Sequence, residues 1–148
     1  MTKTFLTNSV SETEKLAEKL GEILKSGDII AYQGSMGMGK TAFTRGLAKG
    51  MKIKDDVSSP TFALINEYNG DGLTLYHFDM YRVSNYDDLY STGFFDYMDM
   101  GGVMAVEWSE NIENILPENS ITVTIERIDE DKRQITIKGD ERLETLSC

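Results

Sequence analysis

Four short stretches of this chain carry residues that could act together on a phosphorylated compound. Residues 34–41 read GSMGMGKT, in which Gly34 and Gly39 bracket four residues and Lys40-Thr41 follow. That spacing wraps backbone N–H groups around a nucleotide phosphate, because glycines let the amides turn inward and a following helix adds its positive dipole end. Lys40 is then placed to reach the β and γ phosphates, and the Thr41 hydroxyl to ligate Mg²⁺. The second stretch is Ser58-Ser59-Pro60-Thr61, which supplies a hydroxyl; the third is LTLYHFD (73–79), which ends on Asp79; the fourth is VMAVE (103–107), which ends on Glu107. A hydroxyl and two carboxylates beside a phosphate loop suggest phosphoryl chemistry with a divalent cation.

These groups need elements to hold them. The apolar run at 29–33 predicts a strand that feeds the glycine loop, and residues 41–50 predict the helix that follows it; strand, loop, helix is the context that separates a phosphate loop from a flexible glycine turn. A helix over 12–25 is expected before the strand. Ser11 and Glu14 are spaced as a capping box, Leu16, Leu20, Ile23 and Leu24 form its apolar stripe, and Gly27 offers the stop. FALINEY (62–68) and LTLYHFD alternate around the glycine-rich turn 69–72, which predicts an antiparallel hairpin. If 69–72 is the loop, Tyr68 faces Leu73 and Asp79 lies opposite Phe62, beside Thr61.

A less regular helical region is expected over 87–98. VMAVE then reads as a strand buried on both faces, as in a parallel sheet. An acid at the carboxyl end of such a strand is placed either to hold Mg²⁺ or to make a structural ion pair. A final hairpin, about 120–128 and 133–138, turns at Asp129-Glu130-Asp131. His77, the only histidine, is expected to be packed and hydrogen-bonded in mid-strand rather than catalytic.

Size and charge narrow the function. A chain of 148 residues, 40% hydrophobic and 27% charged, fits one compact domain spanning 1–148. Its net charge is −10, and between Glu67 and Glu126 the acids are accompanied by a single base, Arg82, apart from His77. Autonomous binding of RNA or DNA needs clustered Lys and Arg to replace counterions, so it is not expected. The acid excess reads either as a solvated face or as a surface that docks on a basic protein. The N-terminus lacks a signal-peptide core, nothing later could span a bilayer, and the lone Cys148 has no intramolecular partner. These features point to a cytoplasmic protein.

With the phosphate loop, SSPTF, YHFDMYR and VEW placed in this order, the chain resembles the TsaE (YjeE) family, small bacterial ATPases needed to make threonylcarbamoyladenosine on tRNA. The resemblance implies an α/β fold: a single P-loop NTPase domain with a mixed, largely parallel central sheet, flanking helices and a C-terminal antiparallel hairpin. It implies that Gly34 and Gly37 to Ala42 (Gly37, Met38, Gly39, Lys40, Thr41 and Ala42) cradle the ATP phosphates, with Thr41 and Glu107 holding Mg²⁺. Thr61 is then a switch-like sensor of the γ-phosphate. Asp79 supports hydrolysis, by orienting water or through the metal's shell. Trp108 matches the tryptophan after the acid, with either a packing or a chemical role. Arg133 matches a base near the nucleotide, with a surface ion pair as the alternative. The chain departs from many members at Ser35, Met36 and Met38, and at Ser109, where a proline is common.

The partner that the resemblance implies is the TsaB–TsaD complex, with tRNA engaged only indirectly and no DNA or membrane. Adenine is expected as the base because the Asn-Lys-x-Asp segment of many GTPases is absent. Two other readings compete. A small-molecule kinase would need an acceptor pocket and usually an arginine-bearing lid, whereas the arginines here are only Arg45, Arg82, Arg127, Arg133 and Arg142. A nucleotide-gated binding module would hydrolyse ATP only incidentally.

Overall fold

The apolar run after Asp28 forms the middle strand of a mixed sheet. The computed structural model describes residues 1–34, 39–54, 65–70, 72–80, 83, 85–112 and 115–147. Along it run β1 (Thr2–Thr7), α1 (Val10–Glu22), β2 (Ile29–Gln33), α2 (Lys40–Gly50), β3 (Ile65–Asn69) and β4 (Thr74–Asp79). Then come α3 (Tyr86–Ser91), α4 (Phe94–Met98), β5 (Val103–Glu107), β6 (Ile121–Arg127) and β7 (Arg133–Lys138). Single 3₁₀ turns cover Ser109–Ile112 and Glu141–Thr145. The strand order is β1-β7-β6-β2-β5-β4-β3. β6, β2, β5 and β4 are parallel to one another, while β3 pairs antiparallel with β4 on one side, and on the other β7 pairs antiparallel with β6 and β1 antiparallel with β7. Among the described residues, no helix is long and apolar enough to cross a membrane.

Alternation along the strands builds two apolar layers, because successive side chains point to opposite faces. Ile30 and Tyr32 of β2, Leu75 of β4 and Val103 and Ala105 of β5 pack with Leu16, Leu20, Phe43 and Leu47 of α1 and α2. Ile29, Tyr76, Phe78, Met104 and Val106 pack on the other face with Leu89 and Phe94 of α3 and α4. By the same alternation His77 and Asp79 share the face of Leu75, and Glu107 shares the face of Ala105. That is the face on which α2 lies. In β6 and β7 only one side is apolar, through Val123, Ile125, Ile135 and Ile137, while Thr122 and Thr124 stay half-buried.

Two sequence expectations are corrected. α1 starts two residues earlier than its expected box. Ser9, not Ser11, is the N-cap and accepts from the Glu12 backbone N–H at 3.1 Å. Ser-x-x-Glu occurs twice in overlapping frames, and the later Glu14 is instead engaged by Arg45 at 2.6 Å. The hairpin register is shifted by two: Tyr68 pairs with Leu75 and Asn69 with Thr74, so the turn is 70–73. Asn69 is held in the ladder by Thr74, whose hydroxyl donates to its side-chain carbonyl at 3.2 Å. Gly70 bridges to Ile53, and Leu73 packs on the core. The less regular helical region expected over 87–98 is α3 and α4, separated by Gly93 at φ +83°.

β1 was not foreseen at all. TKTFLT is a half-exposed edge strand, and the pairing that defines it runs from Thr2 with Lys138 to Thr7 with Arg133. That partner lies at the other end of the chain.

Candidate functional site

Gly34 follows the last residue of the central strand at φ +113°, a conformation that favours glycine. A Cβ there would come within 2.7 Å of the Ile125 carbonyl oxygen on β6. Only a residue without a side chain lets the loop leave β2 so close to its neighbour. Gly39, at φ +107°, occupies the N-cap of α2. Helix N-termini leave backbone N–H groups without intrahelical partners, so α2 presents donors where the loop returns.

Lys40 opens that helix, and only 4% of its surface is exposed. Its ammonium group donates to the Gly34 carbonyl at 2.8 Å and lies 4.9 Å from the centre of the Trp108 ring. A buried cation needs compensation, and here a carbonyl and an aromatic face contribute it. Trp108 itself has φ +59°, the left-handed region that a bulky side chain enters only under strain. The turn is tied down on both sides. The Ser109 hydroxyl donates to the Tyr32 carbonyl at 2.7 Å, and the Met80 N–H donates to the Glu107 carbonyl at 3.0 Å. Ser109, the departure noted in the sequence, thus anchors the turn after β5 to the strand that carries the loop.

Asp79 and Glu107 are register partners at the carboxyl ends of β4 and β5. They share the face of α2 and stand at the strand ends where open α/β sheets bind ligands. His77 lies one step back on β4, fully buried, and its Nε2 is 2.6 Å from Glu107 Oε2. The expected packed, hydrogen-bonded histidine is there. Its partner was not legible, because nothing in the sequence says that β4 and β5 are neighbours.

Arg133 sits at the start of β7, and its guanidinium donates to the carbonyls of Asp129, Glu130 and Lys132 at 3.0–3.1 Å. It also lines a cavity of about 230 Å³ together with Gly39 and Ala42 of the loop-helix junction, Ser9 and Val10 at the start of α1, and Glu130. The final hairpin was expected here through Arg133; the β1-α1 junction was not, since only the sheet order brings it beside α2. Gly37, Met38 and Thr61 lie outside the described residues, as does the expected approach of Thr61 to Asp79.

A family model described as "Threonylcarbamoyl adenosine biosynthesis protein TsaE" matches residues 7–135. The chain belongs to the TsaE family. It is similar to the TsaE protein of Bacillus subtilis, named for tRNA threonylcarbamoyladenosine biosynthesis, at 41% identity over 84% of this chain and 78% of the relative. The Treponema pallidum TsaE protein is 34% identical over 89% of this chain and 97% of its own. Among solved structures, Bacillus subtilis YdiB superposes with a TM-score of 0.78 at 33% identity, covering 99% of this chain and 91% of that one. The TsaE family is one of threonylcarbamoyladenosine biosynthesis, and the α/β architecture with its mixed seven-stranded sheet is the one this family member adopts.

Proposed function

We propose that the chain is a Mg²⁺-dependent ATPase, acting as one domain over residues 1–148, that supports threonylcarbamoyladenosine modification of tRNA by working on a TsaB–TsaD complex. The observation that carries the reading is that Lys40, at the start of α2, lies 4.9 Å from the ring of Trp108, the residue after Glu107, while Glu107 pairs in register with Asp79 at the ends of β5 and β4. Lys40 and the helix N-terminus bind phosphate charge, and Gly34, Gly37, Met38, Gly39, Thr41 and Ala42 complete the cradle. Asp79 orients a water for attack on the γ-phosphate, directly or through a metal-bound shell, and Thr61 senses that phosphate.

The donors present suit a hard cation. Among the described residues no group of three His, Cys, Asp or Glu side chains could cage a metal. A hydroxyl from Thr41 and a carboxylate from Glu107 are oxygen donors of the kind Mg²⁺ takes while keeping waters and substrate phosphates as its other ligands. Mg²⁺ so held would neutralise charge developing on the phosphates. The cavity beside Gly39 and Ala42 then suits the sugar and base, because the carboxylates of its acidic residues accept from hydroxyl or amine donors and repel phosphate. Arg133 would border that part of the nucleotide.

Turnover of ATP measured with the chain alone and with purified TsaB and TsaD tests the reading. Slow release of ADP and phosphate alone, raised by the partners, is the expected result. A phosphorylated metabolite formed in step with ADP would overturn it in favour of a kinase. Asp79→Ala separates the binding module: persistent ATP binding, no hydrolysis and undiminished tRNA modification over many cycles would show that hydrolysis is not the function.

A further inference from the structure

We propose that His77 is a positioning residue for Glu107, holding its carboxylate so that one oxygen is presented to a divalent cation at the nucleotide site. The inference rests on the reading of Glu107 as the metal acid. His77 is fully buried on β4, and its Nε2 lies 2.6 Å from Glu107 Oε2. Its other ring nitrogen, Nδ1, has no hydrogen-bond partner among the described residues.

These contacts assign the ring proton by bookkeeping of donors and acceptors. An ionised carboxylate only accepts, so Nε2 must donate to it. A proton on Nδ1 instead would leave a buried donor without an acceptor and set two lone pairs against each other. The Nε2–H tautomer leaves only an unmatched acceptor at Nδ1. Burying such an atom still costs stability. An apolar side chain would fill the same place without that cost. What the imidazole adds is the single bond to Glu107.

That bond has a consequence for binding. Glu107 ends its strand with its side chain 12% exposed, and its backbone carbonyl is already held by the Met80 N–H. With Oε2 taken by His77, the carboxylate rotor is fixed before any cation arrives, and Oε1 is left as the donor oxygen. A free Glu would lose rotamer freedom on binding; this one has lost it on folding. Partners of metal ligands in this relation typically change metal affinity by about 10–100-fold.

The test measures metal binding rather than turnover. Mn²⁺ affinity is read by electron paramagnetic resonance at saturating ADP, and ADP affinity separately in chelator, for the parent chain, His77→Leu, His77→Gln and Glu107→Gln. His77→Leu is expected to weaken Mn²⁺ binding about 10–100-fold and to leave metal-free ADP affinity unchanged. His77→Gln, whose amide N–H can stand near the Nε2 position, is expected to restore most of the loss. Mn²⁺ affinity unchanged in both His77 variants, with a loss in Glu107→Gln, would overturn the proposal while sparing the metal role of Glu107. No loss in Glu107→Gln would overturn that role and the proposal with it. A read-out independent of mutant folding is available because His77 is the only histidine. Its ring nitrogens in the parent chain should show a proton on Nε2 and none on Nδ1, with a shift on adding Mg²⁺ to the ADP complex. A proton on Nδ1 would sink the assignment.

Discussion

Lys40 shows how much a single side chain can decide. Its cation is buried against the Gly34 carbonyl and the Trp108 ring, which together orient it. Phosphate oxygens exchange a neutral acceptor for charged ones, and hydrogen bonds between charged groups are worth about 1.5–3 kcal/mol. Lys40→Ala is therefore expected to weaken ATP and ADP about 10–100-fold by calorimetry. AMP, which lacks the phosphates that Lys40 reaches, should change little. Unchanged ATP affinity would refute the loop assignment. Lys40, Asp79 and Glu107 were legible as candidates because residue type and position at an element's end carry chemistry. His77 and Ser109 were not, because their importance lies in which atom they touch.

At the scale of elements, the phosphate loop is only as steady as α2, and α2 is seated on α1 through glycines. A Cβ at Gly46 would meet the Glu14 carbonyl oxygen at 2.3 Å and the Ala17 Cβ at 2.6 Å; one at Gly50 would meet the Glu18 carbonyl oxygen at 2.1 Å. The helix backbones approach that closely because no side chain separates them. Gly46→Ala is expected to lower stability by about 1–3 kcal/mol through overpacking, although alanine is the better helix former. Urea unfolding measures it, and a stabilised variant would contradict the packing. Ser9→Ala removes the cap of α1 and should cost about 1 kcal/mol. Ser11→Ala, at the position first expected to cap, should cost much less. Comparing the two midpoints decides the frame of the helix start.

Over the whole molecule, the C-terminal turn is tied to the entrance of the central strand by Arg142. Its guanidinium donates to Asp28 at 2.7 and 3.1 Å, to Asp140 at 3.0 Å and to the Ile23 carbonyl at 3.1 Å. Hydrogen bonds to Asp28 and Asp140 raise the guanidinium above its ordinary value, so it stays charged. Hydrogen bonds from the Arg142 guanidinium and then from its backbone N–H hold the Asp140 carboxyl below its usual range. A carboxyl lowered on folding stabilises the fold above its unfolded value, near pH 3.9, and that contribution is lost as pH falls through the lower folded value. Arg142→Met should therefore lower stability at neutral pH and flatten the loss below about pH 4. Asp140 is exposed, so its share is small. Urea midpoints against pH check both effects; parallel curves would show that the Asp140 contact contributes nothing.

The sequence by itself determined the strand-loop-helix unit, the buried strand ending in Glu107 and the final hairpin, because periodicity and glycine spacing are local properties of the chain; the family was legible as a resemblance, carried by SSPTF, YHFDMYR and VEW in order after the phosphate loop. Tertiary structure alone decided the rest. Register in the first hairpin depended on Asn69 and Leu73 finding partners, not on the glycines of the turn. β1 exists because β7 offers it an edge, and the cavity beside Ala42 exists because β7 returns Arg133 next to α2. The pairing of His77 with Glu107 needed β4 and β5 to be neighbours across thirty residues of chain. Contacts between distant segments form only once the order of strands is chosen, and that order is selected by burying both faces of β2, β4 and β5 at once.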